Sequence, residues 1–116
     1  MQVQAITKNI NMSAQKMREV VRQIQGLPAL QAQATLAVVP RKGARVVAKT
    51  LQSALANAED RARQGKTQNV EPGKLLVREA VAQTAHTLKR FTPKARGSAG
   101  PVLKRHCHVK IVLSDE

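Results

Sequence analysis

The sequence predicts an α+β domain in which one strand precedes three helices and a long β-hairpin follows them. Three observations predict this class. Apolar residues recur at three- and four-residue spacing between residues 14 and 63, as in amphipathic helices. Near both ends of the chain they alternate with polar residues, as in half-buried strands. The 116 residues fit one domain with a modest core, and with one Phe and no Trp or Tyr that core is built from small aliphatic side chains.

The first strand is predicted over 3–9, VQAITKN, with residues 3, 5 and 7 on one face and residues 4, 6 and 8 on the other. Ser13 is a favourable N-cap residue and predicts a helix over 14–25. Gly26 predicts the end of this helix, and Pro28 permits a second helix to begin. The predicted buried stripe of the first helix comprises Ala14, Met17, Val20, Val21 and Ile24.

A short Ala-rich helix is predicted over 29–38, and a longer helix over 41–63. Arg41, Arg45 and Lys49 are four residues apart, so they form a basic ridge along the first half of the long helix. This helix is expected to end near Gly65, before a polar loop over 65–74. Its buried stripe is rich in Ala, which permits close approach, and comprises Ala44, Val47, Ala48, Leu51, Ala54, Leu55, Ala58 and Ala62.

Two strand-like arms, over 75–90 and 102–113, predict an antiparallel hairpin with a Gly/Pro tip. Each arm of about 12 residues spans roughly 40 Å, whereas a small domain is only about 30 Å across. The distal half should therefore project, with a body of about 1–85 plus 106–116 and a hairpin of about 86–105 within one domain, 1–116. One face of the second arm carries Leu103, Cys107, Val109, Ile111 and Leu113, interrupted by Arg105.

Charge indicates a polyanionic partner. Lys and Arg total 20 against 7 Asp and Glu, for a formal net charge of +13, which opposes compaction unless a polyanion neutralises it. From Ala80 to Ser114 there are seven Lys or Arg and three His but no acidic residue. A hairpin with few apolar residues needs a partner to define its shape, and RNA fits this charge. We expect contacts to phosphate and 2′-hydroxyl groups between RNA helices. Lys66, Lys74 and Arg78, with mixed neighbours, are attributed to solvated surface.

No catalytic, metal or cofactor site is predicted. The acidic residues are scattered, and adjacent Glu59 and Asp60 diverge by about 100° on a helix. His106 and His108 lie on one face of a strand while Cys107 points to the other, and no second Cys/His pair has zinc spacing. These histidines are expected to contact phosphate or a neighbouring loop. For Phe91 two alternatives stay open, packing within the chain and stacking on a base.

The same sequence also indicates the cellular compartment of the protein and disfavours two other partners, DNA and a membrane. One cysteine excludes an internal disulfide and predicts a reducing compartment, and the N-terminus lacks a targeting pattern, so a cytoplasmic location is expected. A DNA-binding helix-turn-helix over 13–25 and 29–38 is disfavoured because the linker contains Pro28 and the second helix has no basic residue. A membrane partner is disfavoured because the hairpin lacks an interfacial Trp/Phe/Leu face.

Three regions, in order, also match motifs of a known family. They are SAQKMREVVRQIQG (13–26), SALANAE (53–59), and the hairpin segments KRFTPKARGSA (89–99) and LKRHCHVKIVL (103–113). With these motifs the chain resembles the universal large-subunit ribosomal protein family called L-twenty-two in bacterial numbering. The resemblance implies three helices packed on a three-stranded antiparallel sheet with a long protruding hairpin. It also implies a structural, non-enzymatic rRNA-binding protein of the cytoplasmic ribosome, which bridges rRNA segments during assembly and lines the peptide exit tunnel with its hairpin.

The resemblance implies which residues contact rRNA and which partners the protein has. For Arg41 and Arg45, the expectation of an rRNA contact comes from the basic ridge. The expected partners are large-subunit rRNA, neighbouring large-subunit proteins and, near the tip, the nascent peptide. Gln25 and Leu27 stand where the family often has basic residues. Expected rRNA contacts are Lys16, Arg18, Arg22, Arg41, Arg45, Lys89, Arg90, Lys94, Arg96, Lys104, Arg105 and His108. The expected tunnel-lining tip is Phe91, Thr92, Pro93, Lys94, Ala95, Arg96, Gly97 and Ser98.

Overall fold

Three helices cover one face of a three-stranded antiparallel sheet, which confirms the predicted α+β class. The computed structural model describes residues 2–64 and 74–115. A short 3₁₀ turn, Ala95–Gly97, joins the last two strands. The elements are β1 (Gln2–Ile10), α1 (Ala14–Val21), α2 (Ala29–Val38), α3 (Lys42–Arg63), β2 (Leu76–Pro93) and β3 (Ala99–Ser114).

The sheet has the order β1-β3-β2, so β3 is paired on both edges within the body. Residues directly opposite each other on neighbouring strands point to the same face of the sheet. Two rows of such residues point towards the helices: Val3, Leu113 and Val77 form one, and Ala5, Ile111 and Ala80 form the other. All six are buried in the core beneath the helices. The β1–β3 ladder reaches only the pair Ile10 and Cys107, whereas β2 and β3 continue to pair with each other out to Pro93 and Ala99.

Helix α1 begins as predicted but is four residues shorter. The Ser13 hydroxyl accepts a hydrogen bond from the Lys16 backbone N–H at 3.4 Å. Beyond Val21 the chain tightens into 3₁₀-type turns, in which the N–H of Ile24 donates to the carbonyl of Val21 at 3.2 Å. The tighter turns keep Ile24 fully buried. Gly26 adopts φ +79° and donates its N–H to the Val77 carbonyl at 2.9 Å, so the turns that follow the helix end in a bond to β2.

Helix α2 has the predicted bounds, and α3 begins one residue later than predicted, with Arg41 as its N-cap. It ends at Arg63, as predicted, with Gln64 as its C-cap. Of the predicted loop over 65–74, residues 65–73, which include Lys66, lie outside the described residues. Two positions buried in α3 were absent from the predicted stripe, Gly43 and Thr50, and two in that stripe, Ala48 and Ala62, are only partly buried. A polar residue and a glycine do not contribute to an apolar pattern, so periodicity does not identify them.

The α3 helix is attached to β1 by polar side chains. The Thr50 hydroxyl donates to the Val46 carbonyl at 2.9 Å and lies 2.6 Å from the Thr7 hydroxyl, which therefore donates to it. Asn57 donates its side-chain N–H to the Gln4 carbonyl at 3.1 Å. These bonds satisfy a buried hydroxyl and hold the helix along the edge strand.

The hairpin strands extend further towards the tip than predicted. Residues 94–98 alone form the turn, closed by a 2.7 Å bond from the Lys94 N–H to the Ser98 carbonyl. Pro93, Gly100 and Pro101 lie within the strands. Proline is compatible with these positions because a two-stranded ribbon has two open edges, where a nitrogen needs no ladder partner. The resulting molecule measures 67 × 27 × 17 Å.

Candidate nucleic-acid interface

The sheet narrows from three strands to two at a bulge, and we call residues 84–87 of β2 and 103–107 of β3 the neck. Between the pairs Thr84–Cys107 and Thr87–Arg105, β2 contains one more residue than β3. This extra residue bends the ribbon. At the bulge the rings of His86 and His106 stack, with centroids 4.4 Å apart and planes inclined by 16°.

The N-terminal turn of α1 lies beside the neck and forms two pockets with it, which we call the neck groove. The pockets have volumes of about 340 and 370 Å³ and both are lined by Ser13, Gln15 and Arg105. Arg18 lines the first pocket, and Lys16 and Lys104 line the second. Among the residues that the structure describes, no acidic residue lines either pocket. Four predicted RNA-contact residues from two distant segments therefore meet here, in a groove suited to phosphate groups.

Three other predicted contacts on the helices lie outside the neck groove. Arg22 is the exposed C-cap residue of α1. Arg41 and Arg45 line an open groove of about 640 Å³ between α2 and α3. The Arg41 guanidinium lies 3.6 Å from the Glu19 carboxylate, and both side chains are largely exposed. The same groove contains Lys42, which the four-residue spacing of the basic ridge did not identify.

The distal hairpin presents its predicted basic residues to solvent. Lys89, Arg90, Lys94 and Arg96 are all exposed. The Arg90 guanidinium donates one of its five N–H groups to the Lys89 carbonyl, at 3.0 Å, and the residue remains exposed. Phe91 is 75% exposed, so the first alternative for this ring, packing within the chain, is wrong. The remaining predicted tip residues, from 92 to 98, are exposed except Thr92, which is half-buried.

The histidines and the cysteine make intramolecular contacts. The backbone N–H of Asn9, a residue with φ 57°, donates to Nδ1 of His108 at 3.0 Å. Of the two ring nitrogens of this predicted RNA contact, Nε2 is therefore the one that remains for RNA. Nδ1 of His106 is buried and has no hydrogen-bond partner among residues 2–64 and 74–115. Cys107 points into the core, and burial raises the pKa of its thiol. Within 2–64 and 74–115, no three His, Cys, Asp or Glu residues are grouped to hold a metal ion.

Two features were not predicted from the sequence. Arg61, Arg78 and Lys110 line a polar pocket of about 360 Å³ on the outer face of the sheet, together with Glu79. They come from α3, β2 and β3, and only the packing of the helix against the sheet, together with the strand register, brings them together. Gln25, where the resembled family often has Arg, donates its side-chain N–H to the Ala80 carbonyl. Across the described ranges, no helix has the length and hydropathy to cross a membrane.

Comparison with known proteins places the chain in a family. The model of the family "Ribosomal protein L22p/L17e" matches residues 5–114. The "Large ribosomal subunit protein uL22" of Opitutus terrae is 46% identical over 115 residues, covering 99% of this chain and 96% of that protein. The protein of the same name from Akkermansia muciniphila is 40% identical over 116 residues, covering 100% of this chain and 98% of that protein.

These matches confirm the resemblance drawn from the three motif regions. They extend from the first strand to the last and so include the helices, the neck and the hairpin. The family is one of structural ribosomal proteins, which confirms the prediction of a non-enzymatic protein located in the ribosome. From the family match and from both alignments, the chain belongs to the ribosomal protein L22p/L17e family.

Proposed function

We propose that this protein is a structural rRNA-binding component of the large ribosomal subunit, and that its hairpin bridges rRNA segments during assembly and lines the peptide exit tunnel. The neck groove is the observation that carries the bridging role. It combines Lys16 and Arg18 from the body with Lys104 and Arg105 from the hairpin. A phosphate bound there would contact both parts and define the direction in which the hairpin leaves the body.

The charge distribution of the hairpin supports its insertion between RNA segments along its whole length. The hairpin contains no acidic residue, and its cations are exposed from the neck to the turn. The body, about 1–85 plus 106–116, would lie on one rRNA surface while the hairpin, about 86–105, reaches others. The proposed contacts are Lys16, Arg18, Arg22, Arg41, Arg45, Lys89, Arg90, Lys94, Arg96, Lys104, Arg105 and the Nε2 side of His108. Shape and phosphate position, rather than base sequence, would select these sites.

The tunnel-lining role rests on the resemblance and on the position of the turn. Residues 91–98 lie at the end of the hairpin, in a molecule 67 Å long. The further partners that we propose are neighbouring large-subunit proteins around the body and the nascent peptide near the turn.

DNA binding by α1 and α2 is the less favoured function. A helix-turn-helix needs an exposed second helix that presents polar or basic residues to a groove. Here the connection between the helices is bonded to β2, because the Ala29 N–H donates to the Leu75 carbonyl at 2.9 Å and Pro28 forms a β-bridge with Leu76. The second helix contains no basic residue.

Crosslinking in cells, with sequencing of the bound RNA and mapping of the crosslinked peptides, tests this proposal. We expect crosslinks from the 13–22 segment and from the 89–105 segment, to separate regions of large-subunit rRNA. Crosslinks spread over messenger RNA or DNA, without concentration on rRNA, would contradict it. Crosslinks from the body alone would contradict the bridging role of the hairpin while leaving the rRNA partner in place.

A further inference from the structure

One face of the hairpin end is apolar and uncovered. In the β2–β3 register Phe91 lies opposite Pro101 and Pro93 lies opposite Ala99. Opposite residues share a face, and so do residues two apart on a strand, so these four side chains form one surface, which we call the tip face. Phe91 is 75% exposed, and the ring, Pro93 and Ala99 line a cleft of about 330 Å³ beside the turn.

The neighbouring lysine leaves this face open. Thr92 and Gly100 pair on the opposite side of the ribbon. The Lys94 stem lies across Gly100, since a Cβ added to Gly100 would be 2.5 Å from Lys94 Cε and 2.7 Å from its Cγ. Gly100 is consequently buried although it is near the end of the hairpin. The absence of a side chain at Gly100 thus gives Lys94 a place away from the tip face.

We propose that the tip face holds an unpaired nucleobase of the bound RNA, stacked on the ring of Phe91. This inference rests on the proposed rRNA-binding function and names the part of the RNA that the hairpin end recognises. A nucleobase has flat π-faces that stack on aromatic rings, polar groups along its edge, and a link to a phosphate backbone. Its ring matches Phe91 with Pro101, and its phosphates match the cations beside this surface.

Charge favours a base over a protein segment as the occupant. Lys89 and Arg90 precede the ring, Arg96 follows in the turn, and no acidic residue occurs between Ala80 and Ser114. An aromatic ring among exposed cations is the arrangement with which proteins bind single-stranded RNA. A duplex has its bases stacked internally and presents no free ring, so the tip face would select a loop, a bulge or a strand end.

A tryptophan reporter tests the proposal directly. The chain contains no Trp and no Tyr, so the variant Phe91→Trp has a single indole fluorophore at the tip face. Val38→Trp is the matched control, because Val38 is 78% exposed but lies on α2. Each full-length variant is titrated with single-stranded oligoadenylate, with a blunt RNA duplex, and with a large-subunit rRNA fragment.

We expect quenching of the tip indole by oligoadenylate and by the rRNA fragment, little quenching by the duplex, and little change in the control. Phe91→Tyr should retain affinity for the fragment, and Phe91→Leu should lower it about tenfold without changing the salt dependence, because stacking releases no counterion. An unquenched tip indole in a complex that still forms would overturn the proposal but not the rRNA-binding function. Equal affinities for the Leu and Tyr variants would also overturn it. Failure of the unsubstituted protein to bind the fragment would instead contradict the proposed function.

Discussion

The imidazole rings of His86 and His106 stack 4.4 Å apart where the hairpin leaves the body. They belong to different strands and meet at the bulge between Thr84 and Thr87. The same segment of β3 contributes Arg105 and His106 to the neck groove. The stack therefore lies where it can hold the angle between the hairpin and the body, and with it the relative positions of the basic residues on each.

The stack should contribute a measurable coupling energy. Stacked aromatic side chains contribute about 0.5–1.5 kcal/mol beyond the area that they bury. We expect a coupling of about 0.5 kcal/mol between His86→Ala and His106→Ala, measured by urea unfolding of both single variants and the double variant. Strictly additive effects would show that the rings do not stabilise each other.

The hydroxyl pair of the half-buried Thr7 and the buried Thr50 should be costly to break. Thr50→Val retains the shape but leaves the Thr7 hydroxyl without its acceptor, so we expect the free energy of unfolding to fall by about 1–3 kcal/mol. Thr35→Val is the control, because the Thr35 hydroxyl also donates to a carbonyl four residues earlier, at 2.9 Å, but at an exposed site. That change should stay within about 0.5 kcal/mol. Similar losses at both sites would exclude a special contribution from the pair.

Removing the hairpin cations should flatten the salt dependence of RNA binding. Each phosphate contact contributes about 0.7–0.9 to the slope of log K against log salt. Changing Lys89, Arg90, Lys104 and Arg105 to Gln should therefore lower the slope by about three. The matched control changes Lys8, Lys49, Arg63 and Arg78 to Gln, which removes the same charge from exposed positions outside the predicted contacts. Equal flattening in both variants would indicate a general charge effect instead of an anchoring hairpin.

Burial of Cys107 should make the protein less stable at alkaline pH. The folded state raises the pKa of this thiol, so above the ordinary cysteine pKa of about 8.5 the unfolded chain loses a proton that the folded chain retains. The contribution of the thiol to stability is thus complete below that pH and falls by up to about 1.4 kcal/mol per pH unit above it. Urea unfolding of the unsubstituted protein and of Cys107→Ala should give curves that converge as pH rises. Parallel curves would contradict a raised thiol pKa.

Close packing at Gly43 should exclude larger residues. A Cβ at this position would lie 2.9 Å from Sδ of Met17 and 3.2 Å from Sδ of Met12. We expect Gly43→Val to lower the free energy of unfolding by about 1–3 kcal/mol, because the thioether of the buried Met17 and that of the half-buried Met12 must move. Ala56→Val, at an exposed position of α3, reports the cost of a β-branched residue in the helix alone. A loss at Gly43 no greater than at Ala56 would show that the methionines adapt freely.

The local sequence pattern predicted most helices and strands correctly, but it did not predict where several of them end. The bounds of α2 and the Ser13 cap followed from neighbouring residues, since caps and periodicity act within a turn or two. The end of α1 did not, because the chain from Arg22 to Gly26 is held by tertiary contacts: Ile24 is buried in the core and Gly26 is bonded to Val77, which is far away in sequence. The extended tip strands were missed for a related reason. Proline and glycine usually mark turns, but the open edges of a two-stranded ribbon accommodate both.

Some features of the candidate interface could likewise be predicted from the sequence, whereas others depend on the tertiary structure. The amino-acid sequence by itself determined the α+β class, the basic hairpin and the family, because charge, apolar spacing and motifs are properties of the chain. Only the tertiary structure decided that Lys16 and Arg18 share a groove with Lys104 and Arg105, that His86 stacks on His106, and that Phe91 is uncovered. Each of these depends on strand register, on the bulge in β2 and on how far the helices extend along the hairpin. Such relationships join residues distant in sequence, and local pattern carries no information about them.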